Sequence, residues 1–128
     1  MRLLLDTQIV LWALVGSPCL GTRAEALIRD PANEIHVSSV TIWEIAIKHA
    51  LGRGDMPISG ARAAELCAQA GYRELPVGWR HTEAIEHLPG LHGDPFDRLL
   101  IAQAITEPMR LLSRDRDIAR YGDMVIPV

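Results

Sequence analysis

Leu3-Leu4-Leu5-Asp6-Thr7, continued by an apolar helical stretch to Val15, decides how this chain folds. Three successive leucines have no polar face, so they read as a short strand covered on both sides, and such strands belong to parallel sheets flanked by helices. Asp6 ends the run, and the helix predicted from Thr7 to Val15 closes at Gly16-Ser17-Pro18. A second amphipathic helix is expected over Thr22 to Arg29. After the turn Asp30-Pro31-Ala32-Asn33, the stretch Glu34-Ile35-His36-Val37 reads as a second strand. Ser38 or Ser39 caps a long helix from Val40 to Leu51, stopped by Gly52 and Gly54.

Further along, a helix is predicted from Ser59 to Ala70, then an extended Arg73 to Val77 and a short helix near His81 to His87. Asp94-Pro95 places an acceptor at the N-cap and proline at the first helical position of a helix running to Thr106. Met109 to Leu112 and Met124 to Ile126 read as strands, with a turn or short helix from Asp115 to Tyr121 between them. Helices alternating with unbroken apolar strands define an α/β class, a parallel sheet covered on both faces. No linker, repeat or low-complexity segment interrupts residues 1–128, and one domain is expected.

Composition narrows the function. The chain has 128 residues, 48% hydrophobic and 23% charged, and 13 Lys+Arg against 16 Asp+Glu give a net charge of -3. Bulk positive charge therefore cannot hold a nucleic acid, and an anionic partner needs a local solution. Lys48 is the single lysine, and the other basic residues are arginines. Cys19 and Cys67 have no metal-like spacing and read as reduced core thiols of a cytoplasmic protein. The apolar N-terminus is interrupted by Asp6 and is too short to span a bilayer, so neither secretion nor a membrane association is expected.

Ligands of open parallel sheets bind beyond the carboxyl ends of the strands, where Asp6 and Asp115 fall. Each also has a plain structural reading as a cap or turn residue. Glu44 lies on the helix face of Val40, Ile47 and Leu51, the face expected to be buried, although a surface pair with Lys48 at i+4 would also account for it. Asp97 shares a face with Leu100, Ile101 and Ala104, and its place in a first helical turn is itself favourable. Asp94 is accounted for by its cap and could add a hydrogen bond behind the site. Carboxylates from two strand ends and two helix faces cannot all remain ionised together unless a cation joins them. An all-carboxylate set suits a hard ion, Mg2+ or Mn2+, rather than zinc. That is the chemistry of metal-assisted phosphodiester hydrolysis, with Arg98, Arg114, Arg116 and Arg120 as flanking cations for RNA.

Among the remaining groups, His92 stands near the proposed site and could touch phosphate, although a lone loop histidine is more often structural or merely exposed, while His36, His49, His81 and His87 form no ligand spacing. Trp12 and Trp43 read as core, and Trp79 beside Arg80 is the better base-stacking candidate. The chain could alternatively be a non-catalytic binding module whose acidic pocket holds metal or a partner's arginine. A phosphoryl receiver would need a late lysine, and a phosphatase with a nucleophilic Asp-x-Asp is excluded by Gln8.

Four motifs carry a resemblance that spans nearly the whole chain: LLLDTQIVLWAL from Leu3, SSVTIWEIAIKHALGRG from Ser38, HGDPFDRLLIAQA from His92 and LLSRDRDIARYG from Leu111. In this order and spacing they resemble the PIN-domain ribonucleases, and within them the VapC-type toxins of bacterial toxin–antitoxin pairs. The resemblance implies a three-layer α/β/α fold and a metal-dependent endoribonuclease whose acidic residues fall on Asp6, Glu44, Asp97 and Asp115. Asp6, Asp97 and Asp115 would hold the metal, and Asp117 competes with Asp115 for the fourth position. Ser113 replaces the threonine of many relatives and keeps its hydroxyl. Thr7 would orient a water at the site or simply cap the first helix. The resemblance also implies a cognate antitoxin that places a basic side chain in the acidic pocket, and a homodimer that joins it in a larger assembly.

Overall fold

The leucines of β1 (Arg2–Leu5) divide their side chains between two cores, as the period of a strand requires. Leu4 joins Leu100, Ile101, Ala104 and Leu111 on one face of the sheet. Leu3 and Leu5 join Ile9, Val10, Val37 and Leu112 on the other. All three leucines are fully buried, each contributing about 2 kcal/mol of apolar transfer. The computed structural model describes residues 1–52 and 55–128, so the expected stop at Gly54 lies outside the described residues.

From β1 the chain runs through α1 (Thr7–Val15), a single 3-10 turn (Pro18–Leu20), α2 (Thr22–Arg29), β2 (Glu34–Ser38) and α3 (Ser39–Ala50). It continues through α4 (Gly60–Gln69), β3 (Arg73–Leu75), α5 (Trp79–Ala84) with a 3-10 extension (Ile85–His87), and α6 (Pro95–Thr106). The last elements are β4 (Arg110–Ser113), α7 (Arg116–Ala119) and β5 (Val125–Pro127). The strands form one sheet in the order β3-β2-β1-β4-β5, and every neighbouring pair is parallel. With helices on both faces, this is the three-layer α/β/α arrangement expected from the sequence. Two differences from the sequence reading concern elements. The short fifth helix begins at Trp79, because the main-chain N–H of Gly78 donates to His81 Nδ1 at 2.9 Å and closes the first turn. The 3-10 turn after α1 gives no periodic signal at three residues.

The sequence connection reverses between β1 and β4. The chain leaves β1 toward β2 on one side, and only after six helices does it return to pair β4 on the other. At such a switch point two strand ends diverge and leave a crevice. The register Leu5↔Leu112 brings Asp6 level with Ser113 at its mouth.

Three side chains differ from their expected burial. Cys19 is exposed in the 3-10 turn and is not a core thiol, whereas Cys67 is buried, its thiol pushed up to about 11 by desolvation. Trp43 is 56% exposed, lying edge-on to Phe96 with ring centroids 5.0 Å apart, because α3 turns that side away from the sheet. Leu51, at the end of α3, is beyond the reach of the core and also exposed.

Candidate active site

A cleft of about 380 Å³ opens at the switch point, lined by the carboxylates Asp6, Glu44, Asp55, Asp94, Asp97 and Asp115 with Lys48 and Arg114. Asp6 caps α1, its Oδ1 accepting from the main-chain N–H of Ile9 at 2.9 Å. Its Oδ2 accepts from the buried hydroxyl of Ser113. The Ser113 oxygen in turn accepts from the main-chain N–H of Asp115 at 3.0 Å, so one hydroxyl ties the ends of β1 and β4 to the turn that carries Asp115. Burial pushes the Asp6 carboxyl up to about 6 against the opposing hydrogen bonds from Ser113 and Ile9, and the negative charges of Asp97 and Asp115 add to the rise.

Glu44 reaches the cleft from α3 and is buried as its helix face predicts, yet it is also paired with Lys48. Thr7 Oγ1 donates to Glu44 Oε1 at 2.8 Å and lies 3.2 Å from Thr41 Oγ1, while Lys48 Nζ donates to Oε2 at 2.5 Å. The two readings of Glu44 thus meet in one group, a buried carboxylate held by an ammonium one helical turn away.

Asp97 comes from the first turn of α6, on the face that buries Leu100, Ile101 and Ala104. Asp94 caps the helix, accepting from the N–H groups of Phe96 at 2.8 Å and Asp97 at 3.1 Å. Burial pushes the Asp97 carboxyl up to about 6; the hydrogen bond from His92 opposes the rise, and Asp94 and Glu44 reinforce it. His92 Nε2 lies 2.7 Å from Asp97 Oδ2, an interaction that raises the imidazole above its ordinary range. The sequence places His92 near the site without assigning it a partner; the loop ahead of α6 brings it onto Asp97. His92, Asp94 and Asp97 place potential ligand atoms within 4.8 Å of one another.

Asp115 lines the cleft from the cap of α7, whereas Asp117 does not line it and lies 3.9 Å from His92 Nδ1 and 3.8 Å from Arg120; both residues are exposed. The arginines depart from their expected use. Arg98 donates to the carbonyls of Pro89 at 3.2 Å and His92 at 3.3 Å and to the Tyr121 hydroxyl at 3.2 Å, which fixes the loop before α6. Arg114 donates to the carbonyls of Leu20 at 2.9 Å, Val128 at 3.2 Å and Cys19, with its guanidinium 4.7 Å over the Trp12 ring. Both groups are engaged with main chain, Arg120 leans on Asp117, and among the described residues only Arg116 of the four remains a simple exposed cation. Trp79, 91% exposed, stands on the α5 side with Arg80, whose guanidinium donates to the Thr106 carbonyl at the far end of α6.

A larger groove of about 470 Å³ lies between α3, α4 and β3, lined by Ile42, Trp43, Cys67 and Tyr72 with Glu74 as its one carboxylate. It is chiefly apolar, with Arg73 and Glu74 as its charged residues, whereas the smaller cleft gathers six carboxylates.

The chain belongs to the PIN domain family, whose sequence pattern matches residues 3–124. In structure it is similar to VapBC2 from Rickettsia felis, solved bound to a DNA fragment from its promoter, with a TM-score of 0.72 and 18% identity over 100% of this chain and 98% of that one. No curated protein matches the sequence significantly. Among the described residues, no helix is long and apolar enough to cross a membrane.

Proposed function

We propose that this chain is a metal-dependent endoribonuclease, the toxin component of a VapC-type toxin–antitoxin pair. The observation that carries the reading is the pair Asp6 and Asp97, brought to one cleft from distant parts of the sequence and both pushed up to about 6, chiefly by burial, with the charges of neighbouring carboxylates adding to the rise. At neutral pH two such groups ionise at a cost that a divalent cation between them would remove.

The donor set fits a hard ion. Carboxylate oxygens predominate, and no thiolate lines the cleft among the described residues. Asp6, Asp97 and Asp115 would hold Mg2+ or Mn2+, with His92 fixing the Asp97 carboxylate and Asp94 its main chain. Bound there, the ion would supply charge neutralisation to a phosphodiester and lower the pKa of an attacking water. Ser113 holds Asp6 in orientation, and Thr7 holds Glu44, a further catalytic carboxylate of the site. The N-termini of α1 and α6 add the positive ends of their dipoles to the same cleft. The fold likeness to VapBC2 supports an antitoxin partner; a basic side chain of that partner entering the acidic cleft, a homodimeric toxin and a cytoplasmic setting are part of the same proposal.

The test is cleavage of a mixed cellular RNA pool by purified, antitoxin-free protein in Mg2+, in Mn2+ and in EDTA, beside Asp97→Asn. Cuts at a few sites, lost with chelator and with the variant, are expected. Intact RNA in both metals would leave the cleft as a binding pocket without turnover.

A further inference from the structure

Among the described residues two cations line the acidic cleft, Arg114 and Lys48. Arg114 uses Nε, Nη1 and Nη2 on the carbonyls of Val128, Cys19 and Leu20 and stacks on Trp12, so it braces the chain and is not available to a ligand. Lys48 differs in each respect. Its ammonium has three donors, of which Glu44 Oε2 takes one at 2.5 Å. Its side chain is 34% exposed, and the flexible four-carbon stem can swing the ammonium without moving α3. Thr7 and Lys48 hold the two oxygens of Glu44 between them, which stations the ammonium at the cleft wall.

We propose that Lys48 is a substrate-binding residue whose ammonium contacts a backbone phosphate of RNA in the cleft while Glu44 positions it. The inference rests on the ribonuclease reading and replaces Arg98 and Arg114 as the source of the phosphate contact. It places one available cation at a cleft lined by six carboxylates, in a chain of net charge -3. The cation is local and already neutralised by Glu44, and it exchanges part of that interaction for phosphate when RNA arrives.

The experiment compares Lys48→Gln and Lys48→Arg in an Asp97→Asn background, reading the Kd for a short single-stranded RNA by fluorescence anisotropy over a series of salt concentrations. Lys48→Gln keeps a donor for Glu44 but removes the charge. It is expected to weaken binding and to flatten the plot of log K against log salt by about 0.7, the increment for one phosphate on a single strand. Lys48→Arg retains the slope. In the otherwise unsubstituted chain, Lys48→Gln raises KM for cleavage severalfold while Mn2+ binding is unchanged. The pair Glu44→Gln and Glu44→Gln/Lys48→Gln separates phosphate contact from simple neutralisation of Glu44, and serves equally if Lys48→Gln does not fold. A slope difference of about 0.7 between them supports the contact. Equal slopes, or Lys48→Gln with unchanged affinity and KM, overturn it and leave the nuclease reading standing. An unsubstituted chain that neither binds nor cuts RNA removes that reading, and this proposal with it.

Discussion

Ser113 donates its hydroxyl to Oδ2 of Asp6 across the β1–β4 seam, a hydrogen bond between residues 107 positions apart. It joins the two strands at the point where the sheet's connection reverses, and it holds the most buried carboxylate of the cleft in a fixed orientation. Since the same oxygen accepts from Asp115 N–H, the positions of Asp6 and Asp115 are coupled through one atom.

Ser113→Ala removes both interactions from a fully buried site. Urea unfolding is expected to show a loss of about 1–3 kcal/mol, the range for deleting a partner of a buried polar group. The proposed nuclease activity is expected to fall as well in the variant, because Asp6 and Asp115 lose their common anchor. Unchanged stability and unchanged activity would show that the hydroxyl does not organise the site.

Asp97→Asn is expected to stabilise the metal-free protein above pH 6. The folded carboxyl holds its proton up to about pH 6, against 3.8 for the free side chain. Protonation therefore favours folding, and that contribution is complete below about pH 4 and lost as pH rises through 6. Wild type and variant should be similar in stability near pH 4 and diverge by up to about 3 kcal/mol at pH 7.5 in EDTA. Thermal unfolding across that window decides, and a constant difference at all pH values would contradict the shifted carboxyl.

Gly60 lets α4 approach α3. A Cβ built there would stand 2.9 Å from Ala46 Cβ and 3.3 Å from the Ile42 carbonyl oxygen, so the backbones would have to part. Gly60→Ala should cost about 1–3 kcal/mol by overpacking, despite the better helix propensity of alanine. A melting temperature at or above that of the parent would show that the helices separate freely.

Much of the sheet was legible because its strands are buried on both faces and carry unbroken apolar runs, as Leu3 to Leu5 show. Asp6 and Asp97 were legible for a related reason: each carboxylate follows or shares a face that has to be buried. Side-chain allegiance was not. Arg98 and Arg114 look like free cations in sequence, and only the fold brings main-chain carbonyls from distant segments against them. Trp43 reads as core because helical periodicity cannot say which part of an apolar helix outruns the sheet. Lys48 was read only as a surface partner of Glu44, since a spacing of four residues does not reveal that the pair opens into a cleft.

The cation site at the centre of this account is tested most directly by Mn2+ titration calorimetry at pH 6 and pH 8 in buffers of different ionisation enthalpy. With Asp6 and Asp97 both near 6, each is about half protonated at the lower pH. Binding should then release about one proton at pH 6 and almost none at pH 8, with tighter apparent affinity at the higher pH. Asp6→Asn and Asp97→Asn should each weaken it. Absence of Mn2+ binding, or binding without proton release and indifferent to both substitutions, would contradict a metal held by this cleft.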